Sequence, residues 1–281
     1  MKYKIIHETE YVFSSEVFLE PHFLRFKPKI TPHAELLSFQ LHLSIPPTGF
    51  KELVDAENNL IHIYWFEGLH KTLSIKSESM VLVHEHNPFD FIIYPSDSFK
   101  LPVTYAESLK SLLQTALKVE EISKPLIEYG EKILRESDSN TIEFITNLTR
   151  KIHADFIVES RPEGFPFKAD KTFRLKKASC RDLSWMQIQL LRQLGIATRF
   201  VSGYYYVSID NPEFELHAWI EVYLPGAGWI GFDPSNGIMT GSSHIVISTS
   251  TISENTMPVT GSIRGSATST LSSNLFIEPI E

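Results

Sequence analysis

The sequence predicts a chain of mixed α and β structure in which strands and helices occupy separate stretches. Three observations support this prediction. Apolar and polar residues alternate through the first part of the chain, apolar residues recur at three- and four-residue spacing over 101–157, and short strand-like segments follow residue 195. The chain has 281 residues, which is longer than one average domain, so its length suggests one large domain or two.

The first part of the chain is predicted to form a β-rich domain. In the stretch ELLSFQLHLSI, apolar and polar side chains alternate as in a half-buried strand. Its apolar face is predicted to contain Leu37, Phe39, Leu41, Leu43 and Ile45. The run DAENN at 55–59 has turn chemistry, and LIHIYWF and TLSIKSESMVLVHEH after it have the composition of strands. Proline, serine and aspartate near residue 100 mark a boundary, so this domain is predicted to cover 1–100.

The rest of the chain, 101–281, is predicted to be a second domain that begins with helices. The helical segment covers 101–157, and its last helix starts at Asn140 with Glu143 three residues on, a pattern typical of a capping box. A loop rich in proline, glycine, phenylalanine and lysine then leads to a further helix and short strands over 178–247. The Ser- and Thr-rich tail is predicted to be a loose excursion before a last strand, LFIEPI.

Composition and charge exclude some classes of function. The formal net charge of −8 at pH 7 argues against a general nucleic-acid binder, which needs a basic surface to neutralise phosphates. The stretch MKYKIIHETEYVF contains no long apolar run, so we expect neither a signal peptide nor a membrane span. A single cysteine allows no intrachain disulfide, which fits a reducing compartment. We expect a cytoplasmic protein without nucleic-acid or membrane partners, of unknown oligomeric state.

The single cysteine, Cys180, lies where a basic, loop-like run gives way to an amphipathic helix. The first-turn N–H groups and the helix macrodipole favour an anion at such a position, so a thiolate is stabilised there. Arg181 adds positive charge next to the thiol, whereas Asp182 opposes it. A lone cysteine is often a small buried apolar residue, so its position alone leaves a structural role open as well.

A histidine and an aspartate on two predicted strands strengthen the catalytic interpretation. Alternation in LHAWIEVYL places His217 and Trp219 on one face of a strand. The PGAG turn makes this strand and WIGFDP antiparallel neighbours, with His217 roughly opposite residue 234 and Asp233 a cross-strand or diagonal step away. A carboxylate there would hold the imidazole in one tautomer and stabilise the imidazolium. This is the third role in a nucleophile–base–orienter triad.

Three stretches, SCRDLSWMQIQLLRQLGIATRFVSGYY, HAWIEVYLPGAGWIGFDPSNG and MKYKIIHETEYVF, resemble the bacterial transglutaminase-like proteins, a group often described as cysteine proteases. The resemblance implies an α+β fold: a papain-like transglutaminase core, with a helix packed on an antiparallel sheet, preceded by a β-sandwich-like domain. It also implies that Cys180 is the nucleophile, His217 the general base and acid, and Asp233 its orienter. The sequence departs from the family pattern at Ser179, where glycine is usual, and after His244, where acidic and aromatic residues are expected.

The chemistry expected from this triad is amide acyl transfer on a peptide or protein substrate, with no cofactor and no metal ion. The Cys180 thiolate attacks the carbonyl, His217 protonates the leaving amine, and water or another amine resolves the thioester. The Cys180 backbone N–H is the expected first oxyanion donor. The second donor is not identified, because the sequence has no tryptophan between Trp65 and Trp185 to match the upstream tryptophan of animal transglutaminases. The absence of a DxDxDG pattern argues against a calcium-switched cross-linker.

Some residues allow a structural and a functional interpretation. His84 and His86 could hold an ion from one strand face, but no third ligand is evident, so we expect a solvated strand end. The basic run 174–177 could steer an acidic substrate, with a solvated loop as the default. Asn236 could support the Asp233 loop. The alternative for the whole protein is a non-catalytic peptide- or protein-binding module with the same fold.

Overall fold

The computed structural model describes residues 1–161, 163–208 and 214–280. The strands in this part of the chain are β1 (Lys2–Leu19), β2 (His22–Leu24), β3 (Ala34–Leu43), β4 (Gly49–Val54), β5 (Leu60–Trp65), β6 (His70–Val83), β7 (Ile157–Val158), β8 (Lys177–Ala178), β9 (Thr198–Tyr205), β10 (His217–Leu224), β11 (Gly228–Asp233), β12 (Ile238–Met239), β13 (His244–Ser250), β14 (Val259–Thr260), β15 (Ile263–Arg264) and β16 (Ser269–Ile280). The α-helices are α1 (Glu107–Leu112), α2 (Lys124–Glu136), α3 (Thr141–Asp155), α4 (Ala169–Leu175) and α5 (Cys180–Gln193).

The N-terminal part is built from two antiparallel sheets, which confirms the predicted β-rich region. One sheet has the order β15–β1–β6–β3 with β16 also paired to β1, and the other has the order β14–β2–β5–β4. Burial alternates along β6, as a strand with one face on a core requires. The apolar cluster that joins the two sheets contains Phe13, Val17, Leu19, Leu24, Phe26, Tyr64, Phe66, Leu73 and Ile75.

The predicted apolar face of β3 is wrong at its first residue. The pairing of β3 with β6 shifts between Leu36 and Ser38, so Leu37 lies in a bulge. Leu37 is 48% exposed, whereas Leu36 packs against a buried apolar cluster. A bulge adds one residue to a strand and therefore inverts the alternation on one side of it. From Phe39 onward the predicted apolar face is the observed one.

The second part of the chain packs helices against a five-stranded antiparallel sheet of order β12–β11–β10–β9–β13. Helix α5 lies on β10 and β9 and is surrounded by α2, α3 and α4. Every residue from Asp182 to Arg192 is buried, so the helix is buried all round rather than along one stripe. Its interior polar groups are only partly paired: Gln187 Nε2 donates to Thr149 Oγ1 at 2.7 Å, whereas Gln187 Oε1 and Gln189 Nε2 have no hydrogen-bond partner. Gly195, with φ +75, follows the end of the helix.

The loop predicted between the helical segment and Cys180 contains a helix. Helix α4 occupies Ala169–Leu175, and Lys176 follows it in the left-handed conformation with φ 59. The Lys176 ammonium then lies 3.9 Å from the centroid of the Phe173 ring. The basic run 174–177 is solvated as expected, but it forms the end of a helix and the start of β8 rather than a loop.

The Ser- and Thr-rich tail returns to the N-terminal sheets. Strand β16 pairs with β1 from Ser269 opposite Phe13 to Ile280 opposite Lys2, while β14 pairs with β2 and β15 with β1. The predicted last strand is therefore confirmed but begins earlier, at Ser269. The division of the chain at residue 100 remains a prediction about domains. Strands of the tail pair with strands before residue 100, so the tail completes both sheets of the first part.

Apolar packing and hydrogen bonds also connect the two parts directly. A cluster joins side chains of β1 and β6 to side chains of β9 and β13, and its buried members are Tyr3, Ile5, Ala34, Val81, Val83, Tyr204, Ile245, Ile247 and Ile277.

Among the described residues, no helix combines the length and the apolar character that crossing a membrane requires.

The turn at 55–59 is confirmed. Its last residue, Asn59, connects the two parts of the chain through buried hydrogen bonds. Asp55 Oδ1 accepts from the N–H groups of Glu57 at 2.9 Å and Asn59 at 2.8 Å. The Asn59 side chain is fully buried and pairs with the backbone of β13. Its Nδ2 donates to the Thr249 carbonyl at 2.8 Å, and its Oδ1 accepts from the Thr249 N–H at 2.8 Å. One amide therefore satisfies two buried backbone groups.

Replacing this bridge should destabilise the protein. We expect Asn59→Ala to lower the free energy of unfolding by about 2–4 kcal/mol, because both Thr249 groups stay buried without a partner. Chemical denaturation measures this change, with Asn274→Ala on the exposed face of β16 as the matched control. Equal unfolding midpoints for the two variants would contradict the prediction.

Candidate active site

Cys180 is the first residue of α5 and is half-buried. The preceding residue, Ser179, is the N-cap of this helix and has φ −78 and ψ 166. This is ordinary extended backbone, so serine is accommodated where the family pattern has glycine. The Ser179 N–H and hydroxyl both donate to Asp182 Oδ2, at 2.9 and 2.7 Å. The start of the helix is thereby fixed from both sides of the thiol.

The Asp182 carboxylate is fully buried and also holds the preceding loop. Arg161 Nη2 donates to its Oδ1 at 2.6 Å, and the Phe167 N–H donates to the same oxygen at 2.7 Å. Burial alone would raise the pKa of Asp182, but hydrogen bonds from Phe167, Ser179 and Arg161 outweigh burial and lower it. The sequence suggests that Asp182 opposes a thiolate at Cys180, but Arg161 compensates the charge of this carboxylate.

His217 and Asp233 are brought together at the ends of β10 and β11. Their strands pair with Ile220 opposite Phe232, which is one residue from the predicted register. The predicted contact is nevertheless present: His217 Nε2 lies 2.7 Å from Asp233 Oδ2. Asp233 is fully buried, while His217 keeps 14% of its side chain exposed. The imidazole thus sits between a buried carboxylate and a partly open surface.

Because Nε2 of His217 contacts Asp233, Nδ1 is the ring nitrogen that remains available to the nearby Cys180 thiol. Burial of the ring disfavours the imidazolium, but the Asp233 carboxylate and then the Cys180 thiol outweigh burial and raise the pKa of His217 to about 10. The structure therefore places Cys180, His217 and Asp233 next to one another in that order. Their catalytic roles remain a prediction.

The Asp233 carboxylate is the most heavily hydrogen-bonded group of the site. Its Oδ1 accepts from the backbone N–H groups of Ser235 at 2.9 Å and Asn236 at 3.2 Å. Its Oδ2 accepts from Asn236 Nδ2 at 2.7 Å and lies 3.1 Å from His244 Nε2, in addition to His217. Burial alone would raise the pKa of Asp233, but His217 and then His244 outweigh burial and lower it. The carboxylate therefore stays ionised in the protein interior.

Asn236 supports the Asp233 loop as the sequence suggested, whereas His244 and Arg161 are site residues that sequence reasoning missed. In the sequence, His244 only marks the start of a stretch that departs from the family pattern. It lies on β13, which pairs with β9 rather than with the Asp233 strand, so no local pattern connects it to the carboxylate. For Arg161, the sequence offered only Asp182 near the start of a helix; the burial that makes this carboxylate need a cation is a finding of the structure.

Aromatic rings enclose the histidine–carboxylate cluster. The Tyr205 ring lies 5.3 Å from the His217 ring and 4.6 Å from the His244 ring, and Trp219 lies 5.1 Å from His244. Gly203 makes room for this packing. A side-chain carbon at Gly203 would overlap the Ile245 carbonyl oxygen and the Trp219 ring. Close approach of β9 to its neighbours therefore depends on a residue without a side chain.

His217, Asp233 and His244 also have the composition of a metal site, since their ligand atoms lie within 4.8 Å of one another. Tetrahedral ligands about 2 Å from Zn²⁺ are roughly 3.3 Å apart. The contacts to Asp233 Oδ2, at 2.7 Å from His217 and 3.1 Å from His244, are shorter and match hydrogen bonds. The cluster as arranged therefore fits a hydrogen-bonded carboxylate better than a metal centre.

The other histidine pair considered from the sequence lies elsewhere. His84 Nε2 is 2.8 Å from Glu35 Oε1, and the His86 ring stacks on His33 with a centroid distance of 3.8 Å. His84 follows the last residue of β6 and is exposed. This agrees with the expected solvated strand end.

Two family descriptions match the sequence. The transglutaminase-like superfamily core matches 127–234, and the bacterial transglutaminase-like N-terminal region matches 3–82. The uncharacterized protein Mb2599c of Mycobacterium bovis is 23% identical over 262 residues, which cover 88% of this chain and 82% of that protein. The uncharacterized protein YebA of Bacillus subtilis is 34% identical over 80 residues, which cover 23% of this chain and 10% of that protein.

The crystal structure of a "Putative Cysteine Protease" from Cytophaga hutchinsonii superposes with a TM-score of 0.73 at 19% identity, covering 100% of this chain and 92% of that chain. At this identity the likeness concerns the fold. It confirms the expected α+β fold, a papain-like transglutaminase core with a helix packed on an antiparallel sheet, preceded by a β-sandwich-like region. One chain thus carries both parts of the bacterial pattern, the bacterial transglutaminase-like N-terminal region over 3–82 and the transglutaminase-like superfamily core over 127–234.

Proposed function

We propose that this protein is a cysteine-dependent enzyme that hydrolyses or transfers the acyl group of a peptide or protein amide through a thioester. The family supports cysteine-dependent acyl chemistry in general. The observation that carries the finer proposal is the placement of one imidazole, His217, with a buried carboxylate on Nε2 and the Cys180 thiol close enough to raise its pKa. Such an arrangement favours a thiolate–imidazolium pair over a neutral thiol and imidazole.

In the proposed reaction, the Cys180 sulfur forms a bond to the substrate carbonyl carbon, and electrons move onto the carbonyl oxygen. When the tetrahedral intermediate collapses, the C–N bond breaks and the His217 imidazolium gives its proton to the leaving amine or ammonia. The neutral imidazole then takes a proton from water or from an acceptor amine, which attacks the thioester and releases the thiolate. Asp233 stabilises the imidazolium at each stage without taking up the proton.

The N-terminus of α5 supplies the electrostatic support for both anions in this scheme. The first N–H groups of a helix have no intrahelical acceptor, so the Cys180 N–H is free to donate to the developing oxyanion. Asp182 holds this turn in place through Ser179, and Arg161 compensates its charge. The carboxylate therefore orders the nucleophile without adding an uncompensated negative charge beside it.

Water is the favoured acceptor in the proposal, which places peptidase or amidase activity ahead of cross-linking. The sequence lacks a DxDxDG calcium loop that would switch a cross-linking enzyme. The triad itself is compatible with either acceptor, because only the species that attacks the thioester differs.

The first test is the reactivity of the thiol. A free cysteine is only about 1% thiolate at pH 6.5, so an ion-paired Cys180 should react with iodoacetamide at least about 10-fold faster between pH 6 and 7. His217→Ala should remove this advantage, because no imidazolium then stabilises the thiolate. His84→Ala, at an exposed histidine outside the site, is the control and should label as the unchanged protein does. Labelling no faster than that of free cysteine would favour a non-catalytic binding module.

A second test concerns the carboxylate. With its pKa raised to about 10, His217 should remain an imidazolium from pH 5 to 8 and show no titration of its ring protons by NMR. In Asp233→Asn the stabilising negative charge is lost, so the pKa of His217 should fall to about the ordinary value of 6.5 or below it, and titration should enter this range. The NMR signal that is missing in the His217→Ala variant identifies the ring protons of His217. An unchanged titration in Asp233→Asn would contradict the orienting role.

The third test is turnover. Incubation with a peptide library and a primary amine should produce cleavage, loss of ammonia or amine incorporation, each of which mass spectrometry detects. Cys180→Ala should abolish the product, by at least about a thousandfold in rate, since the nucleophile is gone. Product formation that survives this substitution would contradict a thioester route.

A further inference from the structure

We propose that His244 is a positioning residue, a second histidine that shares the Asp233 carboxylate with His217 and holds it in the orientation that the reaction needs. This inference rests on the proposed function and extends it to a residue outside the triad. Its basis is the contact between His244 Nε2 and Asp233 Oδ2, at 3.1 Å, on the same oxygen that faces His217.

The environment of His244 gives it a defined donor. Its Nδ1 lies 3.4 Å from the Gly241 N–H and can only accept from it. The proton of the neutral ring is therefore on Nε2, which points at Asp233. Only 3% of the His244 side chain is exposed, so water does not compete for this bond.

Two imidazoles face one carboxylate, and two positive charges at this distance would repel each other strongly. Only one of the two rings can therefore be an imidazolium. The groups that face His244 are Asp233 on β11, His217 and Trp219 on β10, and Tyr205 on β9. Burial and the nearby His217 charge lower the pKa of His244, while Asp233 opposes them, and the net result is below the ordinary value. His244 is thus the neutral donor and His217 the cation of the pair.

The position of His244 in the sheet explains why this donor matters. The other donors to Asp233 besides His217 come from its own turn, Ser235 and Asn236, and would move with it. His244 comes from β13, which is separated from β11 by β10 and β9. It therefore fixes the carboxylate relative to the rest of the sheet, and through Asp233 it fixes the direction in which Nδ1 of His217 points.

The test compares three substitutions in the full chain by the pH profile of Cys180 alkylation with iodoacetamide. His244→Leu removes the donor and His244→Asn moves it too far from Asp233, while His244→Gln retains an N–H at the reach of Nε2. We expect the first two to slow labelling between pH 6 and 7 by about 10-fold, the size of one hydrogen bond to a charged group. The labelling rate of the glutamine variant between pH 6 and 7 should stay within about 3-fold of that of the unchanged protein, because the hydrogen bond to Asp233 is retained.

A second part of the profile separates positioning from structural damage. Near pH 9.5 an ordinary thiol with a pKa of about 8.5 ionises without help, so the His244 variants should there react at the rate of the unchanged protein. The matched control is His22→Leu, because His22 is buried and hydrogen-bonded to the Glu20 carbonyl outside the site. It should lower the melting temperature without changing the profile. If the leucine variant does not fold, His244→Asn replaces it in the comparison, because it also lacks the hydrogen bond to Asp233.

The possible failures are distinguishable. Slow labelling of the unchanged protein, with no dependence on His217, would overturn the proposed function together with this inference. Fast, His217-dependent labelling with the unchanged profile in folded His244→Leu or His244→Asn would overturn the positioning role alone. Equal slowing in the asparagine and glutamine variants would also overturn it, because the retained donor would then make no difference.

Discussion

The site depends on an ionised carboxylate that has been removed from water. Transferring such a group into a protein interior costs several kcal/mol unless partners replace its hydration. Asp233 meets this requirement with donors from β10, from its own turn and from β13. These segments must converge before the carboxylate can be buried, so formation of the charged site and closure of the sheet ends are one event.

A second buried carboxylate has the corresponding role on the other side of the thiol. Asp182 orders the first turn of α5 and the loop before it, while Asp233 orders the imidazole. Each is compensated by a cationic or ionisable partner, Arg161 and His217 respectively. Cys180 therefore lies between two rigid supports, one built from a helix start and the other from strand ends. The reactivity of Cys180 therefore depends on the helix start and on the strand ends together.

Local patterns in the sequence were sufficient for the parts of the fold that depend on neighbouring residues. The start of α5 at Cys180, the turn at 55–59 and the hairpin that joins His217 to Asp233 all have their determinants within a few residues. The predicted register differed by one because the observed pair Leu224–Gly228 centres the turn on Gly226. The bulge at Leu37 depends on the partner strand and has no signal in the local alternation.

Long-range pairing accounts for what sequence reasoning did not reach. The contact of His244 with Asp233 follows from pairing of β13 with β9, which includes a shift between Val246 and Ser248. Arg161 reaches Asp182 from a loop whose path is set by tertiary contacts. In both cases the carboxylate was visible in the sequence, but its burial and its partner were determined by the tertiary fold.

The pairing of β16 with β1 has a consequence for the order in which the protein folds. Strand β1 is synthesised well before β16, so the edge of β1 that pairs with β16 stays open until residues 269–280 have followed it. During translation this edge offers unpaired N–H and C=O groups to any other extended chain. Contacts of such large sequence separation slow folding, because a long loop must close before they form. Protection of the nascent β1 edge by a chaperone would therefore favour correct assembly over aggregation.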